Sequence, residues 1–67
     1  MTTEETKGIN NKHKRLLTEV AATQLHNASM HLRLAIETGQ FLNNCARAME
    51  LIEAAEENMN KAAQLVG

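Results

Sequence analysis

Apolar residues recur along the second half of the chain in alternating steps of four and three residues. Steps that average about 3.5 residues line up on one side of an α-helix, and they are typical of a helix that packs lengthwise on a partner. A matching series runs through the first half, and we call the two series together the seam. The pattern predicts two long helices that pack against each other. The seam consists of Ala21, Leu25, Ala28, Leu32 and Ala35 in the first half and Phe41, Cys45, Ala48, Ile52, Ala55, Met59, Ala62 and Val66 in the second.

The start of the first helix is marked by glycine and asparagine residues. Residues 1–8 are polar, lack the periodicity and include Gly8, which costs about 1 kcal/mol relative to alanine inside a helix. They are therefore predicted to form a flexible tail. Asn10 or Asn11 can cap the first turn of the helix, which is predicted to run from about residue 10 to 38.

Gly39 is predicted to end this helix, because glycine most easily adopts the left-handed conformation found at helix ends. The turn is expected at about 39–43 and the second helix at about 41–66. Asn43 or Asn44 could cap the second helix, so the turn spans either two residues or as many as five. Residues 9–67 then form one all-α domain, an antiparallel two-helix hairpin.

The small residues of the seam are predicted to face one another across the hairpin. If the turn centres near Phe41, alanines meet in the pairs Ala35 with Ala48, Ala28 with Ala55 and Ala21 with Ala62. Such pairs allow the helix axes to approach toward the short end of the usual range of about 8–10 Å. The larger residues of the seam are expected to pack in the layers between, namely Leu25, Leu32, Ile52 and Met59.

A second row of residues, which we call the second stripe, lies on nearly the opposite side of the first helix. A hairpin buries one face of each helix, so this row predicts self-association, with a homodimer that forms a four-helix bundle as the commonest closed solution. Its polar members, Thr23 and Asn27, would be buried and would fix the register. The alternative is that the row is ordinary, partly covered surface. The second stripe consists of Leu16, Val20, Thr23, Asn27, Met30 and Leu34.

Further apolar residues flank the seam. Leu17 and Ile36 lie beside it on the first helix, and Leu42, Met49, Leu51 and Leu65 lie beside it on the second. These residues add to the apolar surface that a two-helix hairpin cannot cover by itself.

Length and charge limit the function classes. A chain of 67 residues forms one domain, and its single cysteine excludes an internal disulfide. Seven Lys and Arg residues against eight Asp and Glu residues leave no global field that attracts nucleic acid or membrane. No apolar run approaches the roughly 18–20 residues that span a bilayer, and the polar start is unlike a signal peptide. We therefore expect a cytoplasmic protein with no membrane partner.

Candidate catalytic or metal-binding groups are few. The histidines His13, His26 and His31 are not spaced three or four residues apart, so no two share a helix face as a zinc pair would. His31 is expected near Glu53 across the hairpin as a polar contact, and Cys45 lies on the seam as a small hydrophobic residue. The sequence thus predicts no catalytic residues, no metal, no cofactor and no enzymatic activity.

Charge is unevenly spread along the chain. Basic residues gather at the start of the first helix, and Lys12, Lys14 and Arg15 are the candidate contacts to nucleic acid phosphates. Acidic residues load the second helix and could dock on a basic patch of another protein. Both groups are also compatible with a solvated surface. The acidic residues are Glu50, Glu53, Glu56 and Glu57.

The plan of two helices, one tight turn and alternating small and large core positions resembles two groups of small proteins. It is similar to the Rop-type RNA-binding dimers encoded on plasmids, over about Asn11 to Val66 and as a pattern of residue sizes. The aromatic residue expected on the RNA-facing helices of that family has no counterpart, since Phe41 lies at the turn. The plan is also similar to helical-hairpin chaperones of type III secretion systems. Neither resemblance shares a run of residues, so no residue role is carried over.

The leading hypothesis is a small non-catalytic protein-interaction module, such as a regulator, adaptor or inhibitor, that acts through its helical surfaces. Its size would suit a bacterial or phage accessory protein. One alternative is a Rop-like RNA-binding regulator that uses the basic start of the first helix. Another is a small secretion-type chaperone.

Overall fold

The computed structural model describes the backbone of residues 3–65 and the side-chain environments of residues 10–65. Two helices account for almost all of this range: α1 spans Thr3–Thr38 and α2 spans Phe41–Gln64. The helices pack against each other as a hairpin, and no strand occurs in the described range. The all-α hairpin predicted from the seam is therefore confirmed.

The hairpin is long and thin, with Cα extents of 55 × 14 × 11 Å. At about 1.5 Å per residue, the 36 residues of α1 account for the long axis. The 24 residues of α2 cover about two thirds of that length, so α1 continues past the end of α2 by about 18 Å. We call this the open end of the hairpin, opposite the turn.

The start of α1 differs from the prediction. The helix begins at Thr3 and passes through Gly8, well before the start expected near residue 10. Asn10 and Asn11 consequently lie inside α1, and their predicted capping role is wrong. A single glycine costs about 1 kcal/mol, which a continuing ladder of helical hydrogen bonds can absorb. The flexibility of residues 1–8 stays a prediction.

The turn consists of Gly39 and Gln40, the shorter of the two predicted lengths. Gly39 has φ of 74°, and its N–H donates to the carbonyl of Ala35 at 2.9 Å, which closes the last turn of α1. The Thr38 hydroxyl donates to the carbonyl of Leu34 at 2.6 Å and accepts the N–H of Gln40 at 3.2 Å. These local bonds satisfy backbone groups that the end of a helix leaves unpaired.

The beginning of α2 also corrects a prediction. Asn43 and Asn44 lie inside the helix, and Gln40 holds the capping position without a side-chain cap bond. The Asn44 amide instead donates back to the carbonyl of Gln40 at 2.8 Å. The described part of α2 ends at Gln64, and Val66, which was predicted to be its last residue, lies outside the described residues.

The core of the hairpin is built from alanine. The six alanines that the sequence placed in facing pairs are each at most 9% exposed, and Ala55 is fully buried. Within residues 10–65, no side chain larger than alanine is buried. The prediction that small residues fill the seam is confirmed. The buried residues are Ala21, Ala28, Ala35, Ala48, Ala55 and Ala62.

The larger seam residues are less covered than predicted. Leu25, Leu32 and Met59 keep between 40% and 42% of their surface exposed, and Ile52 is half-buried. Two helices in contact cover a narrow line on each other, and the positions beside that line remain open until another layer packs on them. The hairpin is therefore one layer of helices whose flanks face solvent.

Candidate interaction surfaces

The two flanks of the seam differ in character, and the spacing from the buried alanines defines them. A residue three positions after a buried alanine lies on one flank of the helix, and a residue four positions after it lies on the other. On α1, Gln24 and His31 take the first position, whereas Leu25 and Leu32 take the second. On α2 the first position holds Leu51, Asn58 and Leu65, whereas the second holds Ile52 and Met59. The first flank, which we call the polar flank, is thus polar on α1 and mixed on α2, and the second flank is apolar on both helices.

Two hydrogen bonds join the helices along the polar flank. The Asn58 amide donates to the Gln24 side-chain oxygen at 2.9 Å, and the His31 Nδ1 pairs with the Asn44 side-chain oxygen at 3.3 Å. All four side chains are half-buried. Asn58 lies three residues after Ala55, so both helices place their third position on the same side of the hairpin.

These bonds were not predicted. Glu53 was expected beside His31, whereas the hydrogen-bonding partner of His31 is Asn44. The signal was present in the sequence, because Gln24, His31 and Asn58 each follow a seam alanine by three residues. Polar residues at one repeated position on both helices are the pattern expected for cross-helix pairs.

The other side of the hairpin carries large apolar residues from both helices. Because the third positions of α1 and α2 share one side, the fourth positions must share the opposite side. Residues one position after a seam residue, such as Ile36, Leu42 and Met49, point toward that same opposite side. We call this surface the apolar face, and it consists of Leu25, Leu32 and Ile36 on α1 and Leu42, Cys45, Met49, Ile52 and Met59 on α2.

The apolar face is open to solvent, most of all near the turn. Leu42 is 85% exposed, Ile36 75% and Met49 62%, whereas Leu25 and Met59 are exposed by about 40%. Covering a large apolar side chain completely stabilises by about 1.5–3 kcal/mol. Scaled by exposure, the six large residues that are at least 40% exposed would contribute roughly 5–10 kcal/mol per chain if they were covered. A surface of this kind on a small protein indicates a binding site.

The second stripe lies on the polar side of the hairpin and on the outer surface of α1. Its four apolar members keep between 41% and 58% of their surface exposed. Thr23 and Asn27 are exposed in the single chain, and the Thr23 hydroxyl donates to the carbonyl of Glu19 at 3.1 Å within its own helix. Their burial in an interface stays a prediction. The apolar members are Leu16, Val20, Met30 and Leu34.

The basic residues Lys12, Lys14 and Arg15, which we call the basic cluster, lie near the open end of the hairpin. Its neighbourhood is marked by a shallow cleft in which His13 and Leu17 of α1 meet Leu65, just past α2. The Arg15 guanidinium pairs with the Glu19 carboxylate at 3.1 Å, and the Lys14 carbonyl accepts the Thr18 hydroxyl at 2.8 Å. Lys12 and Arg15 are exposed, and Lys14 is half-buried. The structure places the three predicted phosphate contacts within two turns of α1, and Arg15 already has an acidic partner.

Charges on α2 are paired along the helix surface. Arg47 pairs with Glu50 at 3.2 Å, and Lys61 pairs with Glu57 at 3.5 Å. All four side chains are largely exposed, so these pairs contribute little to stability. Arg47 and Lys61 each precede a buried alanine, which places them on the polar side of the hairpin.

Other candidate chemistry concerns metal ligands, the cysteine and membrane insertion. Residues 10–65 contain no group of three or more His, Cys, Asp or Glu side chains placed to hold a metal ion. Cys45 is a half-buried free thiol on the apolar face. Neither described helix combines the length and apolar character that crossing a membrane requires.

Comparisons with known proteins leave the surfaces as the sole guide to function. No protein-family model, no curated protein and no solved structure matches the chain.

Proposed function

We propose that the hairpin is a non-catalytic protein-interaction module that associates with a second copy of itself, as a four-helix bundle, and binds other proteins through its remaining helical surface. The observation that supports this proposal is the contrast between core and surface. Alanine alone is buried within residues 10–65, while large apolar side chains on both helices stay in water. Such a distribution is typical of a subunit rather than of a self-sufficient domain.

The energetics favour association. A chain of 67 residues rarely buries enough apolar surface to be stable without a disulfide, a metal or a partner. Alanine contributes about one methyl group per residue to the core, and helices of this length take most of their stability from packing. A partner that covers the apolar face would contribute more than the alanine core can provide by itself.

Protein is a better match for these surfaces than nucleic acid. The helix α1 has five Lys and Arg residues against four Glu, a surplus of one, and the Arg15 guanidinium is paired with Glu19. A nucleic-acid site depends on several phosphate contacts and, for single strands, on aromatic platforms. The single aromatic residue of the chain, Phe41, lies at the turn, far from the basic cluster.

The proposal is tested by the mass of the purified protein. Light scattering at several concentrations, after nuclease treatment of the lysate, is expected to give twice the chain mass of 7.4 kDa. A monomer at every concentration would refute self-association. Co-purified nucleic acid whose binding falls steeply with salt would instead favour the nucleic-acid function.

A further inference from the structure

We propose that the second copy lies on the apolar face, with the turns of both hairpins at the same end, so that α1 of each copy packs against α2 of the other. This inference rests on the self-association proposed above. It adds the surface and the orientation, and it moves the dimer contact away from the second stripe, where the sequence placed it.

The first step is the choice of surface. A hairpin is a layer of two helices, and a four-helix bundle forms when two such layers pack face to face, so both helices must offer apolar residues on one side. The apolar face meets this condition, with Leu32 and Ile36 on α1 and Leu42 and Met49 on α2. The second stripe is confined to α1. The residues of α2 and its C-cap on that side of the hairpin include Leu51 and Leu65, which are already half-buried, and charged Arg47 and Lys61, which an interface would desolvate.

The second step concerns area. The chain exposes 5211 Å², whereas a compact protein of 7.4 kDa exposes about 4200 Å². The excess is about 1000 Å², and part of it comes from the stretch of α1 that extends beyond α2. A stable interface of standard size covers about 800 Å² on each partner. The whole excess is of the same order as one partner's share of such an interface, so the exposed area of the hairpin is compatible with a second copy.

The third step is the orientation, and the exposure of the apolar face decides it. The most exposed members, Ile36, Leu42 and Met49, lie in the half nearest the turn. Toward the open end, the positions one and two repeats away hold small or polar residues, Ser29 and Ala22 on α1 and Glu56 and Ala63 on α2. If the turns lie at the same end, large apolar residues cover large apolar residues. If they lie at opposite ends, Leu42 meets the small and polar half of its partner.

Charge favours the same orientation. A two-fold axis parallel to the helices brings the turns together and sets α1 of each copy against α2 of the other. A two-fold axis across the helices stacks α2 on α2. Over Thr3–Thr38, α1 has five cations and four carboxylates, a net charge of +1, whereas α2 has two cations and four carboxylates, a net charge of −2. Glu56 follows Ala55 and borders the apolar face, so stacking α2 on α2 would bring like charges to the rim.

The surface is tested with two matched double variants. Leu42→Glu with Met49→Glu places two charges on the apolar face, and Leu34→Glu with Met30→Glu places two on the second stripe. Each pair exchanges one leucine and one methionine, and all four side chains are more than 40% exposed in the hairpin. By light scattering, we expect the first variant to have half the mass of the parent and the second to keep the parent's mass. A dimer that survives the first change, or is lost only with the second, would overturn the choice of surface.

The orientation is tested with the large apolar residues of the apolar face left unchanged. Cys45→Ala removes the native thiol, and Gln40→Cys or Gln64→Cys then carries a nitroxide at an exposed position near the turn or at the end of α2. With turns at the same end, pulsed dipolar spectroscopy is expected to give about 15–25 Å between the copies at both sites, set by helix spacing and label length. A two-fold axis across the helices would give about 30 Å or more at one site at least, and would refute the orientation.

The outcomes separate the two proposals. A monomeric parent protein would refute self-association and this inference with it. A dimer that is indifferent to Leu42→Glu with Met49→Glu would refute this inference alone. The label distances do not require a variant of the apolar face other than Cys45→Ala, whose mass is measured first, so they stay informative if the double variant does not fold.

Discussion

Replacing one core alanine with leucine tests how the two helices meet. Ala55 is fully buried, and Ala48 one repeat earlier on the same line is 1% exposed. Leucine adds three carbon atoms at Ala55, where no space remains, so the helices must move apart or the side chain must leave its preferred rotamer. Overpacking of this kind costs about 1–3 kcal/mol. In a domain of this size that loss lowers the melting temperature by about 5–20 °C.

The matched control is Ala46→Leu on the same helix. Ala46 is exposed, and leucine and alanine differ by a few tenths of a kcal/mol in helix propensity, so the control measures the substitution without the overpacking. Thermal unfolding would be followed by circular dichroism at 222 nm. All variants must be compared at one protein concentration, because the stability of an associating chain depends on concentration.

The comparison has a clear refuting result. If Ala55→Leu melts at the same temperature as Ala46→Leu, or above it, the line of alanines is not a tight contact between helices. In that case the arrangement of the hairpin derived from burial would be wrong, together with the flanks defined from it.

Three further predictions concern the turn, the hydrogen bond between Gln24 and Asn58, and the basic cluster. Gly39→Ala is expected to lower the free energy of unfolding, measured in urea, by about 1–2 kcal/mol, because φ at Gly39 is 74° while no atom lies within 4 Å of an added Cβ. Gly39→Asn is expected to lower it less, and equal losses would exclude the backbone as the cause. A double-mutant cycle of Gln24→Ala and Asn58→Ala is expected to give a coupling energy of about 0.5–1 kcal/mol, and additive losses would show that their hydrogen bond contributes nothing. The parent protein is expected to show no saturable binding of RNA or DNA in fluorescence anisotropy at about 0.15 M salt, and the double variant Lys14→Glu with Arg15→Glu is expected to behave in the same way. If the parent binds nucleic acid and the double variant does not, the protein-interaction function is contradicted.

The proposed dimer would leave the second stripe available. The apolar face and the second stripe lie on opposite sides of the seam on α1, so a second copy on the first does not cover the second. Met30 and Leu34, both exposed by more than 40%, could then contact another protein while the bundle stays intact. Self-association and binding of a partner are thus compatible functions of one small hairpin in this proposal.

Some residues suggested helix boundaries that the structure does not have, because tertiary contacts and the propagation of the helix outweighed their local preferences. Gly8, Asn10 and Asn11 resembled the boundary of a helix, yet the backbone is helical from Thr3. Asn44 resembled a cap, yet it lies in α2 and pairs with His31 across the hairpin. A short polar side chain can serve as a cap or as a cross-helix contact, and its own sequence position does not distinguish the two.

The sequence by itself determined the helices, the turn at Gly39 and the buried line of six alanines. Each of these depends on a period along one helix or on the backbone freedom of one residue, and such properties can be read locally. Tertiary structure alone decided which polar side chains bond across the hairpin and how much of each larger seam residue stays exposed. The bonds from Gln24 to Asn58 and from His31 to Asn44 place the polar flanks together, and the apolar flanks must therefore form one continuous face. A periodic pattern gives the angle of a residue around its own helix, but which side chains touch across the hairpin, and how far each is covered, depends on the axial shift and spacing that the helices adopt when they pack.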